Sequence, residues 1–528
     1  MSKGNFKFFS VGQGLFHAGK IRIKDNECFS FIYDCGTKKT SILPNAIECC
    51  LLFFKDISCP DKKAHIDFLF VSHLHADHIN GLKLLIQELR KSNITIKNII
   101  LPYVNVYQRV ILLLEALKNQ KLSAGKTTFF YTEFSERDYI EFYKNPYLFL
   151  QKQFGEIGVS PDDFLSDDIP ALYIVNPDKN YYIADKNVSS EPNDLFHVYA
   201  NDYSTVTTED IENYFKENPE SSFFFDNSIS TLSEKRLNLD YPFFYNNVEN
   251  RSEDFFNKNK AYSKKKNKNL YFISDSFGIF VKNAWRFFCF NTPLPSANKK
   301  YIMALHKEYQ NILKSLGPNG NIDDLFSTVN IRLLQKHYRD FSSDLNSTSL
   351  LIYHYPTSEK YKYLRNDSSF LLLGDINLNS YIANINNNIK KSFTNFLSSR
   401  ISSLQYKNTE LSASNFVLAP HHGSDLSWNP RVFNLFCEPS FYVVSASVKS
   451  KKHPGTEFIK SFHSTEYLNV PKPVYSNSFY IFLPPSISKN CYLHRFENIL
   501  LWCNEKQSIE IKIGDSGNYV QVEPYNVI

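Results

Sequence analysis

The chain is predicted to be an α/β protein, and three observations carry that prediction. Short apolar runs of strand length recur, first at Ile66-Asp67-Phe68-Leu69-Phe70-Val71 and later at 370–374, 415–420 and 441–445. The first run is followed by Leu82, Leu85, Ile86 and Leu89, which share one helix face. Each run also ends in residues able to bind a metal or move a proton, the arrangement expected when functional groups gather at one edge of a sheet.

The segment after the first run, Ser72-His73-Leu74-His75-Ala76-Asp77-His78, joins strand to helix. A lone histidine is usually a surface or hydrogen-bonded residue. Three histidines and an aspartate in six positions are not, because packing has no use for so many titratable groups on one turn. In a loop that continues a strand, His73 and His75 can point the same way while Asp77 and His78 project separately. That supplies two ligand pairs for two adjacent divalent cations, zinc or manganese, the device that activates water against a phosphoester or acyl group. Asp77 is expected on an exposed turn.

The later runs continue the pattern. One ends at Gly374-Asp375, one at His421-His422-Gly423-Ser424, and one leads through the basic stretch Lys449, Lys451 and Lys452 to His453-Pro454. A Gly-Asp pair alone is usually a turn, but its position in this series makes Asp375 a candidate ligand. Roughly 270 residues separate His78 from Asn346, far more than compact connections need. Strands are expected at 96–103 and 284–290, with helical patches at 107–118, 136–154 and 298–342. The division expected is 1–103, an insertion over 104–282, a return strand over 283–297, a helical insertion over 298–342, and a second part over 343–528.

Composition narrows the function classes. A net charge of +5 on 528 residues gives little support for nucleic-acid binding by total charge. Nine scattered cysteines without a C-x-x-C pair indicate neither a disulfide framework nor a zinc ribbon. No signal peptide is evident, and no apolar run reaches the roughly 18 residues of a membrane span. A cytoplasmic protein without membrane contact is expected. Ser123-Ala124-Gly125-Lys126-Thr127 lacks the first glycine of a phosphate-binding loop, since Gln120 stands there, and it reads as an ordinary loop. Lys264-Lys265-Lys266-Asn267-Lys268 reads as a solvated loop.

Taken in order, Val11-Gly12-Gln13-Gly14, Tyr33-Asp34-Cys35-Gly36, the H-x-H-x-D-H cluster, Asn346-Ser347-Thr348-Ser349-Leu350, Leu373-Gly374-Asp375-Ile376, Pro420-His421-His422-Gly423-Ser424 and His453-Pro454 carry a resemblance. The chain resembles metallo-β-lactamase-fold hydrolases, most specifically the metallohydrolase domain of ComEC-type competence proteins and its stand-alone relatives. The resemblance covers roughly 1–103 and 345–483. It implies an αββα four-layer sandwich, here with a large mixed or helical insertion, and a dinuclear metal centre. His73 and His75 would hold the first metal, Asp77 and His78 the second, with Asp375 bridging and His453 completing the second. Asp34 would orient a ligating imidazole. The His421-His422 pair would close the first metal or contact a substrate phosphate, and Ser424 with the Gly423 turn would hold an anionic oxygen.

The chain departs from the pattern in two places. Leu15-Phe16 follows the Gly-Gln-Gly where relatives carry small or acidic residues, and the further histidine of many relatives has no evident counterpart among His197, His306, His337 and His354. The function expected is a phosphodiesterase or nuclease acting on DNA. His421 or His422, with a lysine from 449–452, would stabilise developing charge or protonate the leaving oxygen. Two alternatives are a hydrolase of small phosphodiesters and a partner-regulated component of a bacterial defence system whose insertion contacts another protein.

Overall fold

The computed structural model describes residues 2–24, 27–55, 64–102, 104, 106–123, 134–154, 170–175, 223–225, 270–273, 276–282, 284–291, 349–356, 369–378, 414–430, 441–450, 452–462, 499–514 and 520–526, with a few single residues between them. Its strands are β1 (Ser2–Phe8), β2 (Phe16–Lys24), β3 (Glu27–Cys35), β4 (Ala64–Phe70), β5 (Ile94–Pro102), β6 (Ala171–Val175), β7 (Phe223–Phe225), β8 (Leu270–Ile273), β9 (Ser276–Val281), β10 (Trp285–Asn291), β11 (Leu350–Pro356), β12 (Ser369–Leu372), β13 (Ser414–Leu418), β14 (Phe441–Ser445), β15 (Ile499–Cys503), β16 (Gln507–Gly514) and β17 (Val520–Asn526). They form two mixed sheets. One runs β17-β16-β1-β2-β3-β4-β5-β6-β8, the other β15-β14-β13-β12-β11-β10-β9-β7. The α/β class expected from the sequence is therefore observed.

Strand β4 shows why the pattern folds this way. Successive side chains point to opposite faces, so Phe68 and Phe70 enter one core while Leu69 and Val71 enter another. The first of these cores lies between the sheets. Phe6 of β1 meets Phe370 of β12 with ring centroids 4.5 Å apart, and Phe29 of β3 meets Phe287 of β10 at 5.4 Å. Burying each such ring contributes on the order of 1.5–3 kcal/mol.

The outer face of the nine-stranded sheet packs against α1 (Leu43–Phe54), α3 (Leu82–Lys91), α4 (Val106–Ser123), α5 (Glu136–Lys144) and α6 (Pro146–Phe154); the short α2 (Ala76–Ile79) lies at the end of β4. A third cluster, with Trp428, Phe458 and Phe462, covers Leu371, Val417 and Tyr442 of the other sheet and includes α7 (Thr456–Ser461). The patch expected as one helix over 136–154 is two. Asn145 is extended at φ −152° before Pro146, as a residue preceding proline is biased to be.

The described parts of 104–282 are not set apart from the sheets. They supply β6 and β8 to the first sheet and β7 and β9 to the second, and α4, α5 and α6 to the first sheet's helical cover. The strand expected at 284–290 is β10, and β9 precedes it as its antiparallel neighbour. Most of 298–342, the 124–133 loop and the 264–268 lysines lie outside the described residues. No helix among the described residues is long and apolar enough to cross a membrane.

Parallel pairing positions the site. β3, β4 and β5 run parallel in one sheet and β12, β13 and β14 in the other, so the carboxyl ends within each set share an edge. The two edges are joined: the Leu350 amide donates to the Ser72 carbonyl at 2.7 Å, and the Tyr33 hydroxyl donates to the Leu350 carbonyl at 2.8 Å.

Candidate metal centre

At the end of β4 the chain leaves the sheet through Ser72 and turns into α2. The bend is packed against β3. A Cβ on Gly36 would lie 2.5 Å from the Asp77 carbonyl and the His78 amide, so only glycine permits the approach. Three further residues near the site hold left-handed backbones without being glycine: Asp34 (φ 60°), His421 (φ 47°) and His422 (φ 54°). Such conformations are uncommon and concentrate where surrounding structure fixes a functional side chain. The His421 amide donates to the Gly374 carbonyl at 3.1 Å, which ties the turn after β13 to the one after β12.

Four carboxylate–imidazole pairs stand at 3.4–3.5 Å. Nε2 of His73 lies 3.5 Å from Oδ2 of Asp375, and Nε2 of His78 lies 3.4 Å from Oδ1 of the same residue. Nε2 of His422 is 3.5 Å from Oδ2 of Asp77, and Nε2 of His75 is 3.5 Å from Oε2 of Glu115. Charge-assisted hydrogen bonds are shorter, about 2.7–2.9 Å. Two donors on one tetrahedral ion with bonds of about 2.1 Å stand roughly 3.4 Å apart. Among the described residues, two groups of three converge within 4.8 Å: His73, His78 and Asp375, and Asp77, His78 and His422.

The hydrogen bonds behind these rings decide which nitrogen faces inward. Asp34 accepts from the Ser72 amide at 2.6 Å, from the Ser72 hydroxyl at 2.5 Å and from His78 Nδ1 at 2.8 Å. With its hydroxyl proton given to Asp34, Ser72 can accept from His73 Nδ1 at 2.8 Å. His422 Nδ1 donates to the Ser445 carbonyl at 2.9 Å. Each of the three rings thus turns its Nε2 toward the site. Nε2 of His73, His78 and His422, both nitrogens of His75, and Oε2 of Glu115 are buried without a hydrogen-bond partner. Burying so many unpaired polar atoms is costly, and divalent ions would satisfy them together. The donors, imidazole nitrogen with carboxylate oxygen, suit zinc or manganese.

Electrostatics keep His73 neutral and the two aspartates ionised, whereas nearby carboxylates outweigh burial at His78 and at His75, where Glu115 raises the pKa. Burial, with His78 beside it, lowers the His73 pKa to about 4; burial lowers His421 to about 3 and His453 to about 4. Burial also opposes the charge on His78, but Asp375 and Asp34 raise it well above its usual range. Burial disfavours ionised Asp77 and Asp375, yet Lys38 and His422 hold Asp77 well below the carboxylate range, and His78 and His73 do the same for Asp375.

Several expectations change. His422, not His453, joins Asp77 and His78; the His453 ring centroid is 5.3 Å from that of His421 and 6.2 Å from that of His422. His75 belongs to neither group of three and faces Glu115. His421 stands at the rim with Nε2 3.9 Å from Asp375 and Nδ1 3.0 Å from the Ser427 hydroxyl. Asp77 is 9 % exposed, so it is buried instead of lying on an exposed turn. The Ser424 amide donates to the His421 carbonyl at 2.9 Å and is committed within its own turn, not offered to an anion. His354 lies between the sheets, stacked on Phe370 and accepting from Trp285 Nε1, far from a ligand's role. His197, His306, His337 and Lys451 lie outside the described residues, whereas Lys449 and Lys452 are exposed on the loop before His453.

Glu115, Lys38, Ser72 and Tyr143 were not singled out by the sequence. Lys38 Nζ stands 3.7 Å from Asp77, and the Tyr143 hydroxyl donates to the Leu74 carbonyl, between the two histidines, at 2.6 Å. An acid inside the apolar run Val110-Ile111-Leu112-Leu113-Leu114-Glu115-Ala116-Leu117 was the one available signal. No protein-family model matches the chain, and no curated protein matches its sequence.

Proposed function

We propose that the chain is a dinuclear metal-dependent hydrolase with the αββα sandwich of metallo-β-lactamase-type enzymes, acting as a phosphodiesterase on DNA. The observation that carries this reading is the convergence of buried, unpaired imidazole nitrogens on carboxylates at 3.4–3.5 Å separations. His73, His78, Asp375, Asp77 and His422 would hold the ions. When bound, the ions supply Lewis acidity toward a phosphoryl oxygen and lower the pKa of water.

The residues around them have separate tasks. Asp34 fixes the ring of His78 directly and that of His73 through Ser72, which turns Nε2 of each toward the ions. Lys38, half-exposed beside Asp77, puts positive charge at the mouth of the site, where a phosphodiester anion would arrive. Lys449 and Lys452, exposed on the adjoining loop, favour a polyanion over a small substrate.

The test combines metal analysis with two substrates. Protein from metal-replete expression should carry about two divalent ions per chain, and should cleave labelled single- or double-stranded DNA. Asp77→Ala should lose that cleavage by orders of magnitude together with part of the metal. No more than one ion in the wild type would refute the dinuclear centre. Intact DNA beside hydrolysis of a small chromogenic phosphodiester would refute the DNA assignment alone.

A further inference from the structure

We infer that Glu115, on helix α4, is a ligand of the metal centre and shares an ion with His75. The inference rests on the metal-centre reading above but adds a residue to it, from a helix outside the segments that carry the resemblance. The His75–Glu115 separation of 3.5 Å equals the His73–Asp375 and His422–Asp77 separations. It is unlike the 2.8 Å contact of His78 with Asp34, which is a hydrogen bond. An acid serving only as an acceptor for the imidazole would stand at that shorter distance.

Burial points the same way. His75 is 7 % exposed, and neither of its ring nitrogens has a hydrogen-bond partner; Oε2 of Glu115 is also buried and unpaired. The surrounding turns of α4 are apolar, with Leu112, Leu113, Leu114, Ala116 and Leu117 all buried. The Glu115 side chain is 33 % exposed overall, but its Oε2 is buried against His75, and a charge held there is costly unless something neutralises it. One cation between Oε2 and the imidazole would satisfy both groups.

The pairing is also held in place from behind. Arg109, six residues before Glu115 on α4, donates from one nitrogen to the carbonyls of Tyr143 and Lys144 on α5, at 3.1 and 2.5 Å. The Tyr143 hydroxyl in turn donates to the carbonyl of Leu74, the neighbour of His75. Helix α4 and the histidine loop are thus clamped to the same element.

The experiment titrates zinc or manganese alone into chelator-treated wild type, Glu115→Ala and Glu115→Gln, following stoichiometry by calorimetry and elemental analysis. Cobalt substitution adds an absorption spectrum that reports the donors directly. Wild type should take up about two ions. Both variants should keep one tight ion and lose at least about tenfold affinity for the other, with a changed cobalt spectrum and an unchanged thermal midpoint before metal is added. Glu115→Ala binding both ions like the wild type would overturn the inference. So would Glu115→Gln behaving as the wild type, because an amide can accept a hydrogen bond but is a poor substitute for an anionic ligand. A wild type that binds no ion would instead refute the metal centre itself.

Discussion

Asp34 organises more of the site than any residue facing the cleft. It is fully buried, holds a left-handed backbone, and accepts three hydrogen bonds, from the amide and hydroxyl of Ser72 and from Nδ1 of His78. Its carboxylate is matched to donors, so an amide of the same shape would turn one acceptor into a donor facing a donor. Asp34→Asn should therefore fold, yet weaken metal binding by about 10–100-fold, the usual cost of losing a partner behind a ligand. Calorimetric titration of chelator-treated protein measures this, and wild-type affinity would show that Ser72 and packing suffice to orient the rings. Asp34 was legible in the sequence only through the resemblance that Tyr33-Asp34-Cys35-Gly36 helps to carry. Ser72 was not, since its part in the relay depends on which way a hydroxyl points in the folded chain.

At the scale of elements, the turn from β4 into α2 depends on β3 coming close. Gly36 gives the Asp77 carbonyl and the His78 amide room that a methyl group would occupy at 2.5 Å. The neighbouring atoms are backbone and cannot swing away, so Gly36→Ala should displace the turn. A loss of about 1–3 kcal/mol is expected from such overpacking, with reduced metal uptake, read by urea denaturation and metal titration together. Wild-type values in both would mean that β3 yields. The loop after β14 has a different task. If Lys449 and Lys452, together with Lys451, carry DNA phosphates toward the site, neutralising all three should flatten the salt dependence of DNA binding by up to about 0.9 log unit per lost contact. Turnover of a small phosphodiester should be unaffected. Equal losses on both substrates would assign the lysines to the chemical step.

The whole molecule carries a pH response in the core between its sheets. His17 and His354 are fully buried there among Phe6, Phe8 and Phe370, and burial lowers His17 to about 3 and His354 well below its usual range. Unfolded, both take a proton near pH 6.5; folded, they refuse it. Their contribution is thus fully present above about pH 6.5 and is lost as pH falls toward about 3, at up to ~1.4 kcal/mol per pH unit for each histidine. Urea denaturation of chelator-treated protein between pH 7 and 4 should show that decline, and His17→Phe should lessen its slope. An unchanged slope in that variant would contradict the assignment to His17.

The sequence by itself determined the α/β class, the strands that lead to His73, Asp375 and His421, and the kinds of side chain, imidazole and carboxylate, that follow them. Those features are local: apolar alternation, helical spacing and turn residues act over a few positions of chain. Tertiary structure alone decided that His422 and not His453 meets Asp77, because left-handed backbones at His421 and His422 set where each ring points. It also decided that Glu115 and Lys38 stand at the centre, since each arrives from an element remote in sequence. The strands of 104–282 joined the sheets for the same reason. Which strand pairs with which, and which ring nitrogen stays unpaired, follow from contacts between distant segments that no local pattern specifies.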